Sequence, residues 1–324
     1  MDNKTIYKKT LGFSLLAVIW NLISIALVIG LTAAGFIIAE KAVKEGLIGL
    51  LIGLIIGLIA ASLVSRFAAY TCKAGQIAMM TKAITEGELP DNVIAEGKKA
   101  VKERFITVAA FFAVTSAIKG IFNQIGRMIT RFGENIGGDT GGAIGSTVSS
   151  VIQVVVSYLC DCCLGWVFYR KDVKAAKATC EGAVLFFKHG KTLAKNMGRV
   201  FGMGLVSLIA IGGAFAGVFY AIISANSTAL SPIITKVTEF ATTAEKQNFL
   251  TNLLQNPATV PVVIAVVGGI IVWSLIHSTF IRPFVLTGVL RNYIESGKND
   301  IPSEESFSIL DSKSPRFKKL HSEL

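Results

Sequence analysis

Charge is what this chain has least of. Asp, Glu, Lys and Arg make up 16% of its 324 residues, where soluble domains carry about 25%. So little charge excludes a disordered chain and a nucleic-acid-binding globule. Motifs of catalysis are also missing: there is no H-E-x-x-H and no G-x-S-x-G. His189-Gly190-Lys191-Thr192 ends like a phosphate loop, but Leu185 stands where the loop needs its first glycine. Gly137-Gly138-Asp139 approaches the GxGD pattern of intramembrane aspartyl proteases, with Ile136 in place of the required glycine. The sequence therefore reads as a non-enzyme, with no cofactor and no metal requirement.

What is abundant is apolar sequence, 52% of the chain with 31 glycines besides. It is gathered into long runs. Leu11 to Ile38 has no charge over 28 residues, and Leu47 to Ser65 is a second uncharged run. Stretches 143–169, 200–225 and 260–284 follow, and 105–132 is the sixth. About 20 apolar residues cross a bilayer. Continuous rather than alternating runs exclude a membrane β-barrel and leave helices, which satisfy their own backbone in lipid. The reading is an all-α, polytopic membrane protein: a domain over residues 1–300 with six transmembrane helices, amphipathic helices between the hairpins, and a flexible polar tail over 301–324. The first run is too long for a signal-peptide core and reads as an uncleaved helix.

Lys and Arg, sorted by side, set the orientation. Under six spans 25 of the 32 basic residues share a side with the two termini, and seven lie opposite. This asymmetry places both ends in the cytoplasm of a cell (inner or plasma) membrane. All five cysteines then fall in cytoplasmic segments or the inner half of the fourth span, where structural disulfides are not expected. The segment 227–257 reads as one or two short amphipathic helices. Echoes between 83–87 and 293–297, and between 97–102 and 190–195, suggest repeated hairpins.

Three constellations could carry function. Gly49, Gly53, Gly57 and Ala61 recur every four residues and form one small-residue groove along the second helix. Such a groove packs helices within one chain or joins the subunits of a homo-oligomer. In the third segment the apolar run from Phe105 to Ile118 is too short to span, yet amphipathic periodicity continues to Phe132. Lys119, Asn123, Arg127 and Arg131 fall on its polar face. They line a basic, anion-favouring pathway, or belong to a helix lying on the outer leaflet. Asp161, the one acidic residue within a span, needs a partner; Lys119, His277 and Arg282 are the candidates. Cys160 and Cys163 share one helix face at i, i+3 spacing and with Asp161 or His277 could bind a soft metal, but two or three ligands from one helix fall short of a metal site. His277 is a further pathway candidate or an interhelical hydrogen bond.

Basic clusters at Lys98, Lys99, Lys102 and Arg104, and at Arg170, Lys171 and Lys174, offer a surface to anionic lipid or an acidic partner. Cys160-Asp161-Cys162-Cys163, followed by the run from Ala178 to Phe187, resembles the Cys-rich region of choline transporter-like proteins. Those proteins are longer and have more spans, and no functional residue carries over. The expected function is an oligomeric channel or transporter-like pathway for a small solute or ion. The alternative is a non-transporting membrane scaffold that holds anionic lipid or a cytoplasmic partner through its basic helices.

Overall fold

The computed structural model describes residues 1–134, 141–243 and 249–324, with some side chains near the two gaps and along 187–201 left out. Among the described residues every regular element is helical. The chain divides into two units, 1–196 with 283–324, and 197–282.

The first unit begins with α1 (Asn3–Val43), a helix of 41 residues. The Asp2 carboxylate caps it by accepting from the Thr5 amide at 3.1 Å, which satisfies one of the orphan donors at a helix start. Lys44 ends it in the left-handed conformation at φ 56°. The chain reverses into α2 (Gly46–Ala68), passes one π turn (Ala69–Lys73) and continues as α3 (Ala74–Glu86). Gly87 stops α3 at φ 81°, where a Cβ would be strained. Asn92 caps α4 (Val93–Arg104) from the Ala95 amide at 3.0 Å. The chain then bends by 81° into α5 (Val108–Glu134), which Thr107 caps from the Ala110 amide. Next come α6 (Gly141–Tyr169) and α7 (Ala175–Ser207), the latter kinked at His189.

The second unit holds the end of α7, a π turn (Leu208–Gly212), α8 (Gly213–Ala225), α9 (Ser227–Thr243), α10 (Phe249–Leu254) and α11 (Val260–Ile276). The amphipathic outer segment expected over 227–257 is thus helical in its described parts. A third π turn (His277–Ile281) leads back into the first unit as α12 (Arg282–Asn299). The chain closes with α13 (Ser308–Asp311) and α14 (Pro315–Ser322).

Among the described residues four helical runs are long and apolar enough to cross a membrane: Asn3–Val43, Ile48–Glu86, Gly202–Ala225 and Val260–Asn299. A fifth arises only if α4 and α5 count as one bent span, and the apolar part of α6, Gln153–Tyr169, is shorter. The architecture is therefore all-helical with four to five candidate spans, where the sequence suggested six.

The packed core of the first unit lies at the polar ends of these runs. Ile6 and Phe13 of α1, residues 74–81 of α3, the end of α6, the start of α7 and one face of α12 are buried there. By contrast α1 beyond Leu15 and most of α2 present exposed Leu and Ile. That is the pattern of helices that meet lipid in one half and each other in the other. Small residues permit the close packing: a Cβ on Gly182 would meet Cys163 Sγ at 2.7 Å, and one on Gly297 would meet Leu185 Cδ1 at 2.7 Å.

The tail departs from expectation. Phe307, Leu310 and Phe317 are fully buried, and Asp311 pairs with His321 at 3.0 Å. Read as a polar segment it suggested flexibility, but these three apolar anchors are enough to dock it.

Candidate functional site

Asp161 is buried in α6, 5% exposed, with its carboxylate 2.6 Å from Lys73 Nζ at the end of the π turn after α2. Lys73 is a partner outside the three that the sequence suggested. Lys73 counts in sequence as one more basic residue of a loop. It reaches Asp161 because α2 and α3 form one continuous helical path that packs against α6.

A second polar cluster has no precursor in the sequence reading. Glu181 of α7 is 1% exposed and accepts from Trp166 Nε1 at 3.1 Å and from Arg170 at 2.8 Å. The other side of the Arg170 guanidinium grips Asp172 in the open. Arg104 completes the group: its two terminal nitrogens donate to the carbonyls of Val173 and Arg170, at 2.9 and 3.0 Å. Arg104 and Arg170, expected on a binding surface, are thus fasteners of the α6–α7 turn. The available signal was Glu181 standing in the apolar run 178–187, since a carboxylate there needs a cation.

Burial raises the Glu181 carboxyl above its ordinary range, against the opposing pull of Trp166 and Arg170. A raised folded value means that this group's contribution to stability is complete below the ordinary carboxylate pKa. It is lost as pH rises through the folded value. Glu181→Gln keeps an acceptor for Trp166 and removes the titration. Melting of the variant should depend less on pH across the acidic range than melting of the parent, and an unchanged pH slope would exclude Glu181 as its source.

Cys72, Cys163 and Cys180 are buried with no disulfide among them. Cys163 contacts the Thr179 carbonyl at 3.7 Å. Burial pushes the Cys180 thiol up to about 12, so it carries no thiolate at neutral pH. No three His, Cys, Asp or Glu residues among the described ones converge to hold a metal ion.

Lys119 and Asn123 lie on the exposed side of α5, and Asp161 faces Lys73. His277 belongs to the second unit, its ring 5.0 Å from Trp273. Arg127 and Arg131 are within α5, but their side chains lie outside the described residues, as do residues 135–140 of the glycine-rich stretch 133–145. Gly49, Gly53 and Gly57 all face α1 of the same chain: a Cβ on Gly57 would stand 2.9 Å from Val28 Cα. Ala61 continues the series half-buried.

The basic surface survives in part. Lys98, Lys99, Lys102, Lys171 and Lys174 are exposed, with Lys99 shared loosely between Glu96 at 4.0 Å and Glu103 at 3.9 Å. Between α3, α4 and the end of α6 is a cleft of about 400 Å³ that brings Lys82, Lys171 and Lys298 together with Glu86, Glu96 and Glu103. Lys298 Nζ sits 5.6 Å from the Tyr169 ring centre, within cation–π range.

Comparison with known proteins finds no matching family model, no matching curated protein and no matching solved structure.

Proposed function

We propose that this protein is a membrane-anchored interaction module. The apolar helices fix the chain in a cell membrane with both termini cytoplasmic, and the packed helical core below them offers a basic surface to an acidic cytoplasmic partner. One observation carries this reading: the exposed lysines and the cleft belong to the packed core of the first unit. A platform needs a stiff scaffold and accessible charge. Arg104 and Arg170 supply the first, and Lys98, Lys102, Lys171 and Lys174 the second. Long-range attraction from such a cluster acts mainly on encounter rate and is screened within about 8 Å at physiological salt.

The test uses the full chain in proteoliposomes and polyglutamate as an acidic probe. Reversing Lys98, Lys102, Lys171 and Lys174 to Glu should weaken binding at least tenfold and leave the fold intact. Reversing Lys318 and Lys319 should change it little. Equal loss from both sets would mean undirected charge attraction and would sink the reading.

A homo-oligomeric pathway remains a second proposal because of one observation. Gly202, Gly213 and Gly217 in the second unit have open space where a side chain would go, so a small-residue face there is free to receive another copy. Solute or ion flux through reconstituted protein, above that of empty vesicles, would favour this reading over the platform.

A further inference from the structure

Of the expected spans, α5 has the surroundings least suited to hydrocarbon. Near its start Phe111 stacks edge-on with Tyr70 at 5.3 Å and with Phe105 at 5.4 Å. Three turns later Phe122 meets Phe186 of α7 at 5.8 Å. Gly120 lies beneath the Arg316 side chain, where a Cβ would stand 2.7 Å from Arg316 Cδ. Gln124 Oε1 accepts from Ser314 Oγ at 2.5 Å and from the Arg316 amide at 3.3 Å. The wall behind α5 is thus built from the charged tail, with Lys313, Arg316, Lys318 and Lys319, and from a segment of α7 tied by Lys177–Glu304 at 2.6 Å and Lys188–Asp300 at 3.1 Å. A wall this rich in charged side chains does not enter a bilayer. A helix whose buried face is closed by it does not enter either.

The opposite face of α5 has its own chemistry. At the bend before α5, Ile106 is 88% exposed and Val108 is 41% exposed, a turn ahead of Phe111, which meets Tyr70 in the π turn that follows the apolar α2. Farther along, Ser116, Lys119 and Asn123 are exposed, and the sequence continues that stripe with Arg127 and Arg131. Basic side chains on the exposed side of a helix, next to an apolar patch at the border, are drawn to an anionic membrane surface.

We infer that α5 lies along the cytoplasmic surface of the membrane without crossing it, and that its exposed basic face holds anionic phospholipid headgroups. The inference stands independently of the platform reading. Four spans still leave both termini on one side. Of the 32 Lys and Arg residues only Lys41, Lys44, Lys236 and Lys246 then lie outside, a steeper asymmetry than six spans give and the one that membrane insertion favours. The Lys119, Arg127 and Arg131 charges join the side where anionic lipid attracts them.

Asn123→Cys tests the placement in the full chain, with the parent protein reporting background from its own cysteines. A membrane-impermeant maleimide should label it in inverted vesicles and not in intact cells. Lys44→Cys is the external control and Lys318→Cys the internal one. Labelling of Asn123→Cys from outside would overturn the placement. The partner is tested in proteoliposomes. Labelling should slow several-fold when phosphatidylcholine vesicles are replaced by vesicles containing phosphatidylglycerol, and Lys119→Glu should lessen that protection. Equal rates in both vesicles would overturn the headgroup assignment. So would protection by inorganic phosphate in neutral vesicles, which would assign the face to a soluble anion.

Discussion

Arg170→Ala should destabilise the first unit by about 3 kcal/mol, near the lower end of what removing one partner of a buried pair costs. The physical loss is specific. Glu181 is 1% exposed and would keep only the Trp166 indole as a donor. The arginine is itself 12% exposed, which admits some water and keeps the cost from the top of the range. Its contact with Asp172, which is 64% exposed, contributes little by comparison. Arg170→Lys retains the charge and loses the planar fork that serves two carboxylates at once, so its midpoint should fall between the parent and the alanine variant. The decisive variant is the double one. Arg170→Ala with Glu181→Gln removes both charges and leaves Trp166 an acceptor, and it should recover a large part of the stability. Thermal or denaturant unfolding in detergent measures all five proteins: the parent, Arg170→Ala, Arg170→Lys, Glu181→Gln and the double variant. Full additivity of the two single changes would show that Arg170 and Glu181 do not act as a pair.

Gly53→Leu should be as damaging by the opposite means, through added volume. A Cβ at Gly53 would stand 3.0 Å from Thr32 Cα and against the Leu31 carbonyl. Both are backbone, so no rotamer change relieves the overlap and α1 must move away from α2. Overpacking of this kind costs about 1–3 kcal/mol, and here it also opens the small-residue seam above and below. Gly30→Leu is the matched control. It adds the same side chain to α1, at a position where nothing lies within 4 Å, and should leave stability near the parent's. Equal damage from the two substitutions would mean that the α1–α2 seam is not the contact that matters. Subunit number gives an independent reading. If the glycine face joined copies of the chain, Gly53→Leu would change oligomer size with the protomer unharmed, whereas a seam within one chain predicts loss of the protomer's own fold.

Some of the chain was legible without coordinates because lipid imposes a simple rule. A run such as Leu11 to Ile38 needs no tertiary information to read as a helix able to span, and 200–225 and 260–284 read the same way. Gly49, Gly53 and Gly57 announced a close helix contact by spacing alone, though not whose helix it would be. In the third segment composition left the placement open. Its 3.6-residue period was correct and α5 is helical to Glu134, but amphipathicity is equally compatible with a wet pore and with a protein core. The tail failed for a related reason. Counting its polar residues concealed how completely Phe307, Leu310 and Phe317 could be buried.

By itself, then, the sequence determined an all-helical chain with several apolar runs and a strongly one-sided distribution of basic residues. These are properties each segment carries alone, set by the cost of exposing backbone or charge to hydrocarbon. Tertiary structure decided which polar groups meet: Lys73 rather than Lys119 against Asp161, Arg170 and Trp166 against Glu181, Gln124 against the tail. Such pairings depend on how far α2 continues past its apolar end and on the angle at which α6 meets α7. They are sums over many weak contacts that no local spacing encodes.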